Sequence, residues 1–296
     1  MDNDDATIGR ILTRRQALLA TARAGLVLGG VAVLGRAARA ATTAPATRPA
    51  ALVAAPQMTE GPFFVDERLN RSDLVAGSTR PSVARGLPLA LTVSVYKLAG
   101  TSAVPLPGAT VDVWHADAHG IYSDEDDPMN PEVTTGQRWL RGYQVTDRAG
   151  RVAFGTIFPG WYDGRAPHVH FKVRQFAAAS TTRPSGATAE FTSQWFFPDA
   201  VADAVYAHAP YNGRGDRGTL NADDGIYGER LADGSPAGAQ MTLALRDNPA
   251  GPGRAAAFAL YLTEASLHAG PHDGGGPGGP GGGPPPPLWD NGPFPG

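Results

Sequence analysis

Apolar and polar positions alternate along this chain in short runs, not in long helical periods. The runs are "LALTVSVYKL" (89–98), "ATVDVWHA" (109–116), "RGYQVTD" (141–147), "RVAFGTIF" (151–158), "HVHFKV" (168–173) and "AGAQMTLALRD" (237–247), with Gly, Pro and Asp between them. A period of two predicts strands that turn one face to a core. Short strands separated by turn signals predict an all-β sandwich or barrel with long loops and few short helices. "DRAG" (147–150) predicts a hairpin turn between two of the strands. "PDAVADAVYAH" (198–208) predicts a short helix, and there is neither an internal repeat nor a long amphipathic helix.

One strand carries more than a fold signal. In "GWYDGRAPHVHFKV" (160–173), Val169, Phe171 and Val173 fall on one face and predict a core contact, while His168, His170 and Lys172 fall on the other. Half-buried strands show polar residues to water, so the pair of histidines reads as a solvated face. It reads equally as two ligands of a metal whose other donors come from neighbouring strands or loops.

Composition narrows those donors. The 296 residues include no cysteine, so a metal must sit on His, Tyr or carboxylate, and the fold needs a sizeable core with no disulfide to staple it. Residues 1–40 read as an export signal. "TRRQALL" (13–19) holds Arg14 and Arg15, the 11-residue apolar run "GLVLGGVAVLG" (25–35) is too short to span a bilayer, and "ARA" (38–40) fits a cleavage site. The paired arginines resemble a twin-arginine signal, a route that exports folded proteins. The expected location is therefore secreted or cell-surface, with membrane contact only through the signal. Without the signal, 19 basic and 25 acidic residues remain, which is no nucleic-acid footprint. Residues 41–49 read as a linker and 50–268 as one folded catalytic domain. Residues 269–296, with 11 Gly and 9 Pro, read as a disordered tail that cannot form a packed core.

Three metal sites fit two strand histidines. A cupin needs a Glu a few residues further on, and the next acid is Glu190. A site of two histidines and one carboxylate needs an acid beside a His, and Asp117 in "HADAHG" (115–120) is the acid on offer. The third uses phenolates. Tyrosine ionises near pH 10, a strongly charged metal deprotonates its ligands, and two phenolates with one hydroxide neutralise a trivalent ion. Tyr122 and Tyr162 are candidates.

Five segments together resemble the intradiol ring-cleavage dioxygenases, relatives of catechol 1,2-dioxygenase and protocatechuate 3,4-dioxygenase. They are "TEGPFF" (59–64), "PLPGATVDVWHADAHGIYS" (105–123), "RGYQVTDRAGRVAFGTIFPGWY" (141–162), "RAPHVHFKV" (165–173) and "SQWFFPD" (193–199). The resemblance implies a β-sandwich with a non-haem Fe(III). Tyr122, Tyr162, His168 and His170 would be its ligands, Tyr162 being the one that leaves when substrate binds. It implies Arg165 beside the substrate, Gln194 in the active site, and "TEGPFF" helping to close the pocket. The family's arginine motif usually reads Arg-Pro-Ala-His; here it is "RAPH", with the spacing to His168 kept. The implied partners are a small aromatic diol and O2. The implied reaction opens the ring between the two hydroxyl-bearing carbons to a muconate-type diacid. The competing function is a non-catalytic exported β-sandwich that binds aromatics or a wall polymer, and a missing ligand would mark it.

Overall fold

The computed structural model describes residues 52–176 and 187–267. The signal, linker and tail expected at 1–40, 41–49 and 269–296 lie outside the described residues. Nine strands among the described residues form two sheets. One, here the site sheet, is antiparallel throughout, in the order β4 (Arg141–Val145), β3 (Thr110–Trp114), β6 (His168–Gln175), β7 (Ala189–Phe196). The support sheet is centred on β1 (Pro88–Ala99). Along one edge β1 pairs with β5 (Arg151–Ile157) and β2 (Ser102–Pro105), and along the other it runs parallel to β9 (Arg254–Leu262), which carries the short β8 (Arg246–Asp247). Val111, Val113, Val169, Phe171, Val173, Phe191 and Trp195 of the site sheet share one core with Leu89, Leu91, Val93, Val152, Phe154 and Leu260 of the support sheet. Phe171 stacks on Trp195 at 4.0 Å. Each such side chain, fully buried, contributes roughly 1.5–3 kcal/mol. The alternation of β6 is thus anchored by its apolar face. The expected all-β sandwich with few short helices is the observed architecture.

Several elements differ from the sequence reading. "DRAG" does form a tight turn, with Gly150 N donating to Asp147 O (2.9 Å) and Asp147 N to Arg151 O (3.0 Å). It joins no hairpin, because β4 belongs to the site sheet and β5 to the support sheet. The strand expected at 237–247 is instead a helical turn, α3 (Ala237–Gln240), followed by an extended stretch and β8. The stretch lies against β7: Phe196 N donates to Met241 O and Leu243 N to Phe196 O. A Cβ on Gly238 would stand 2.1 Å from the Tyr227 ring, so tertiary packing bends the backbone there. The second face of β6 is not solvated either. Lys172 and Arg174 are buried beside His168 and His170, because residues 59–67 fold across that face. The expected helix is α2, Asp199–Tyr206; α1 is Pro81–Ala84 and α4 is Glu264–Leu267. No helix among the described residues is long and apolar enough to cross a membrane.

Candidate active site

Strand register lines up the first set of side chains. Directly opposed residues of an antiparallel pair share a face. Arg141, Trp114, His170 and Gln194 are opposed in turn across β4, β3, β6 and β7, with His168 opposite Phe196 in the next row. Trp114 lies flat on the His170 ring, 5.0 Å between centroids and 7° between planes. The two imidazoles are therefore set on a rigid sheet, between core residues of the same strand.

Two loops bring in the tyrosines, and a backbone crossing fixes the loops to each other. Tyr122 follows β3 and Tyr162 follows β5. Gly160 N donates to Asp117 O at 2.9 Å. A Cβ on Gly160 would stand 2.4 Å from that oxygen, and one on Gly120 would stand 2.1 Å from Trp161 O. Only glycine permits so close a crossing. Tyr122 is held further by Asn130 and Thr134: its N donates to Asn130 Oδ1 (2.9 Å), and its O accepts from Thr134 Oγ1 (2.7 Å). Phe63 stacks on its ring at 4.4 Å.

Four donors converge. His168 Nε2 lies 3.0 Å from His170 Nε2, 3.1 Å from Tyr162 Oη and 3.4 Å from Tyr122 Oη. His168 Nδ1–H donates to Ala166 O (2.7 Å), which fixes the tautomer and turns the Nε2 lone pair toward the other three. Burial holds both imidazoles well below their usual range, and the Arg165 cation pushes the same way. Burial likewise pushes the Tyr122 phenol well above 10, with Tyr162 adding to it; it raises Tyr162 too, against the pull of Arg165. At neutral pH the imidazoles are thus unprotonated, and the phenols keep their protons unless a cation displaces them. Donors bound to one metal at about 2.0–2.2 Å stand about 3–3.6 Å apart, and the three distances from His168 Nε2 fall in that range. The donor set fits a metal ion held by two imidazoles and two phenolates.

Arg165 and Gln194 complete the cluster. Arg165 Nη1 lies 3.5 Å from His168 Nε2, and Nη2 donates to Gln194 Oε1 (2.6 Å). Gln194 Nε2 donates to Thr59 O (3.0 Å). The 59–64 segment covers the site from that side. Arg141 Nη1 donates to Phe63 O (2.6 Å), Glu60 pairs with Lys172, and the Lys172 ammonium sits 4.1 Å from the centre of the Phe64 ring. Tyr122, His168 and His170 are buried, while Tyr162 and Arg165 are partly exposed, so the site opens on the Tyr162–Arg165 side.

All six residues singled out in the sequence are brought together. Residues missed there support them from a distance. Asp224 is the buried partner of Arg165 (Nε to Oδ2, 3.0 Å). Arg141 is buried, paired with Glu125 (2.6 Å), and donates to Ser123 O behind Tyr122. Both partners lie far along the chain and carry no local signature. The carboxylate offered for a two-histidine site is elsewhere. Asp117 takes hydrogen bonds from Arg80 and Ser82 (2.6 Å each) and staples its own loop through the amides of His119 and Ile121. Glu190 faces Lys172 at 3.7 Å. No group of three or more His, Cys, Asp or Glu stands ready for a metal among the described residues. Tyr143, on β4, is buried outside the donor cluster. His115 bridges the sheets instead of coordinating, donating from Nδ1 to Ala116 O (2.8 Å) and accepting at Nε2 from the Thr156 hydroxyl (2.7 Å).

Fold and side chains together make a two-sheet domain with a cluster of two tyrosines and two histidines on one face. Comparisons with known proteins agree. A family model described as "Dioxygenase" matches residues 59–190. A chlorocatechol 1,2-dioxygenase of Pseudomonas putida is 28% identical over 181 residues, 55% of this chain and 59% of that protein. A catechol 1,2-dioxygenase of Candida albicans is 32% identical over 95 residues, 26% of this chain and 30% of that protein. The chain therefore spans less than two thirds of the length of either curated relative. An intradiol ring-cleavage dioxygenase structure from Tetranychus urticae superimposes with a TM-score of 0.58 at 26% identity, over 73% of this chain and 97% of that one. Over these segments the chain is similar to the intradiol ring-cleavage dioxygenases.

Proposed function

We propose that this protein is an iron(III)-dependent intradiol dioxygenase that cleaves a catechol-type aromatic between its two hydroxyl-bearing carbons. Both atoms of O2 enter the product, a muconate-type diacid. The observation that carries this reading is the approach of Tyr122 Oη, Tyr162 Oη and His170 Nε2 to within 3.0–3.4 Å of His168 Nε2, with Arg165 Nη1 beside them at 3.5 Å. When bound, ferric iron supplies the Lewis acidity that draws electron density from the diol and readies the ring for O2.

The chain's own groups do the rest. Tyr122, His168 and His170 form the fixed side of the site. Tyr162, at the opening, would lose its phenol proton to a bound cation, and its phenolate oxygen would then take a diol proton when substrate enters. Arg165 faces the place where negative charge gathers on the substrate. Gln194 holds the guanidinium in place. We place the activity outside the cytoplasm, on the strength of Arg14, Arg15 and the apolar run that follows.

The visible spectrum and iron content of the purified protein test the reading. A broad charge-transfer band with about one iron per chain is expected, and Tyr122→Phe or Tyr162→Phe should remove most of it. A protein that stays colourless when iron is added sinks the mechanism and leaves the binding-module reading.

A further inference from the structure

We infer that Asp224 is a positioning residue that aims Arg165 at the bound diol; the inference rests on the function proposed above. Asp224 follows the 3-10 turn Asn221–Asp223 and is buried. Its Oδ1 accepts from the amides of Ile226 (2.8 Å) and Tyr227 (3.0 Å), which fixes the carboxylate within its own loop. Its Oδ2 accepts from Arg165 Nε (3.0 Å) and from Ala166 N (2.8 Å).

Each of those last two contacts reaches the site. A guanidinium is planar, so two fixed edges set the direction of the third. Asp224 takes Nε and Gln194 takes Nη2, and Nη1 is left directed at the donor cluster. Ala166, tied by its amide to Asp224, presents the carbonyl that receives the His168 Nδ1–H. One carboxylate thus sets the direction of the substrate-facing cation. Asp224 lies beyond residues 59–190, the segment matched by the family model.

A buried ion pair can also be merely structural, and a double-mutant cycle separates the two roles. Anaerobic catechol titrations of the iron-loaded protein, read from its visible band, compare wild type, Asp224→Asn, Arg165→Gln and the double variant. Thermal melting of the iron-free proteins checks that each is folded. Asp224→Asn should weaken catechol binding about 10–100-fold when Arg165 is present, and less than about threefold when it is Gln. Equal losses in both backgrounds overturn the inference. If Asp224→Asn does not fold, Arg165→Lys carries the test, since it keeps the charge but not the fixed plane. A loss of at least about tenfold supports aiming, and wild-type binding overturns it. A wild-type protein that loads no coloured iron, or loads it and binds no catechol, instead overturns the reading of the site itself.

Discussion

Replacing His115 with asparagine should make the protein less sensitive to acid, by an amount the structure sets. His115 is fully buried, and both ring nitrogens are committed in the neutral form: one donates to Ala116 O, the other accepts from Thr156. Burial chiefly, with Arg141 nearby and the Asp117 carboxylate opposing, lowers its pKa from 6.5 to about 4. The unfolded chain therefore takes up a proton below pH 6.5, and the folded chain does not until about pH 4. Stability is complete above 6.5 and falls as pH drops through this window. At about 1.36 kcal/mol per unit, the loss reaches about 3 kcal/mol by pH 4. His115→Asn lacks this proton. It also loses the Thr156 contact, an offset of about 1–3 kcal/mol that does not vary with pH. Urea unfolding of the iron-free wild type and variant, from about pH 7.5 down to about pH 4, gives the two stability curves. The other buried histidines titrate in both proteins and cancel in the difference. The difference should shrink by about 3 kcal/mol across the window. Parallel curves would refute the argument, because His115 would then titrate alike in both states.

Two further substitutions probe the frame around the tyrosines. Glu125→Gln strands the Arg141 guanidinium, which is 3% exposed, and urea unfolding should register a loss of about 3–5 kcal/mol; a loss under about 1 kcal/mol would mean that the Ser123 and Phe63 carbonyls suffice to hold the charge. Gly160→Ala forces a methyl against Asp117 O and should cost at least about 1–3 kcal/mol in thermal or urea unfolding. It should also lower iron per folded chain as the tyrosine loops part, and unchanged metal content would show that the crossing does not set their spacing.

Much of the site was legible because its chemistry is local. Tyr162, Arg165, His168 and His170 fall within nine positions, and a strand period of two puts both imidazoles on one face without knowledge of the rest. The long alternating strands β1, β3, β5 and β6 were readable for the same reason. β9 was not: "RAAAFALYL" (254–262) is rich in alanine, a helix former. It becomes a strand because β1 supplies a parallel partner and Ala256 and Leu260 enter the core. The covering of β6 was illegible too. Its polar face is dry because Glu60, Phe64 and Asp66 reach it from a loop that begins more than a hundred residues earlier. Asp224 and Arg141 share that character. They act through partners brought near only by the completed fold, and no spacing rule announces them.

The same distinction separates the four proposed ligands. His168 and His170 cannot shift without moving Val169 and Phe171, which lie in the core between the sheets. Tyr122 is almost as constrained, with Asn130 and Thr134 holding its backbone and Phe63 lying on its ring. Tyr162 is placed differently. It is partly exposed, sits on a loop and is joined to its surroundings by the short bridge to Arg165. Displacing it breaks no strand pairing and opens no core cavity, so its motion is the least costly of the four. In the proposed reaction one ligand must give way as a diol enters, and the fold leaves that freedom to Tyr162. It lies on the open side of the site, where it meets the substrate first, and Arg165, three residues away, faces the negative charge left on the diol.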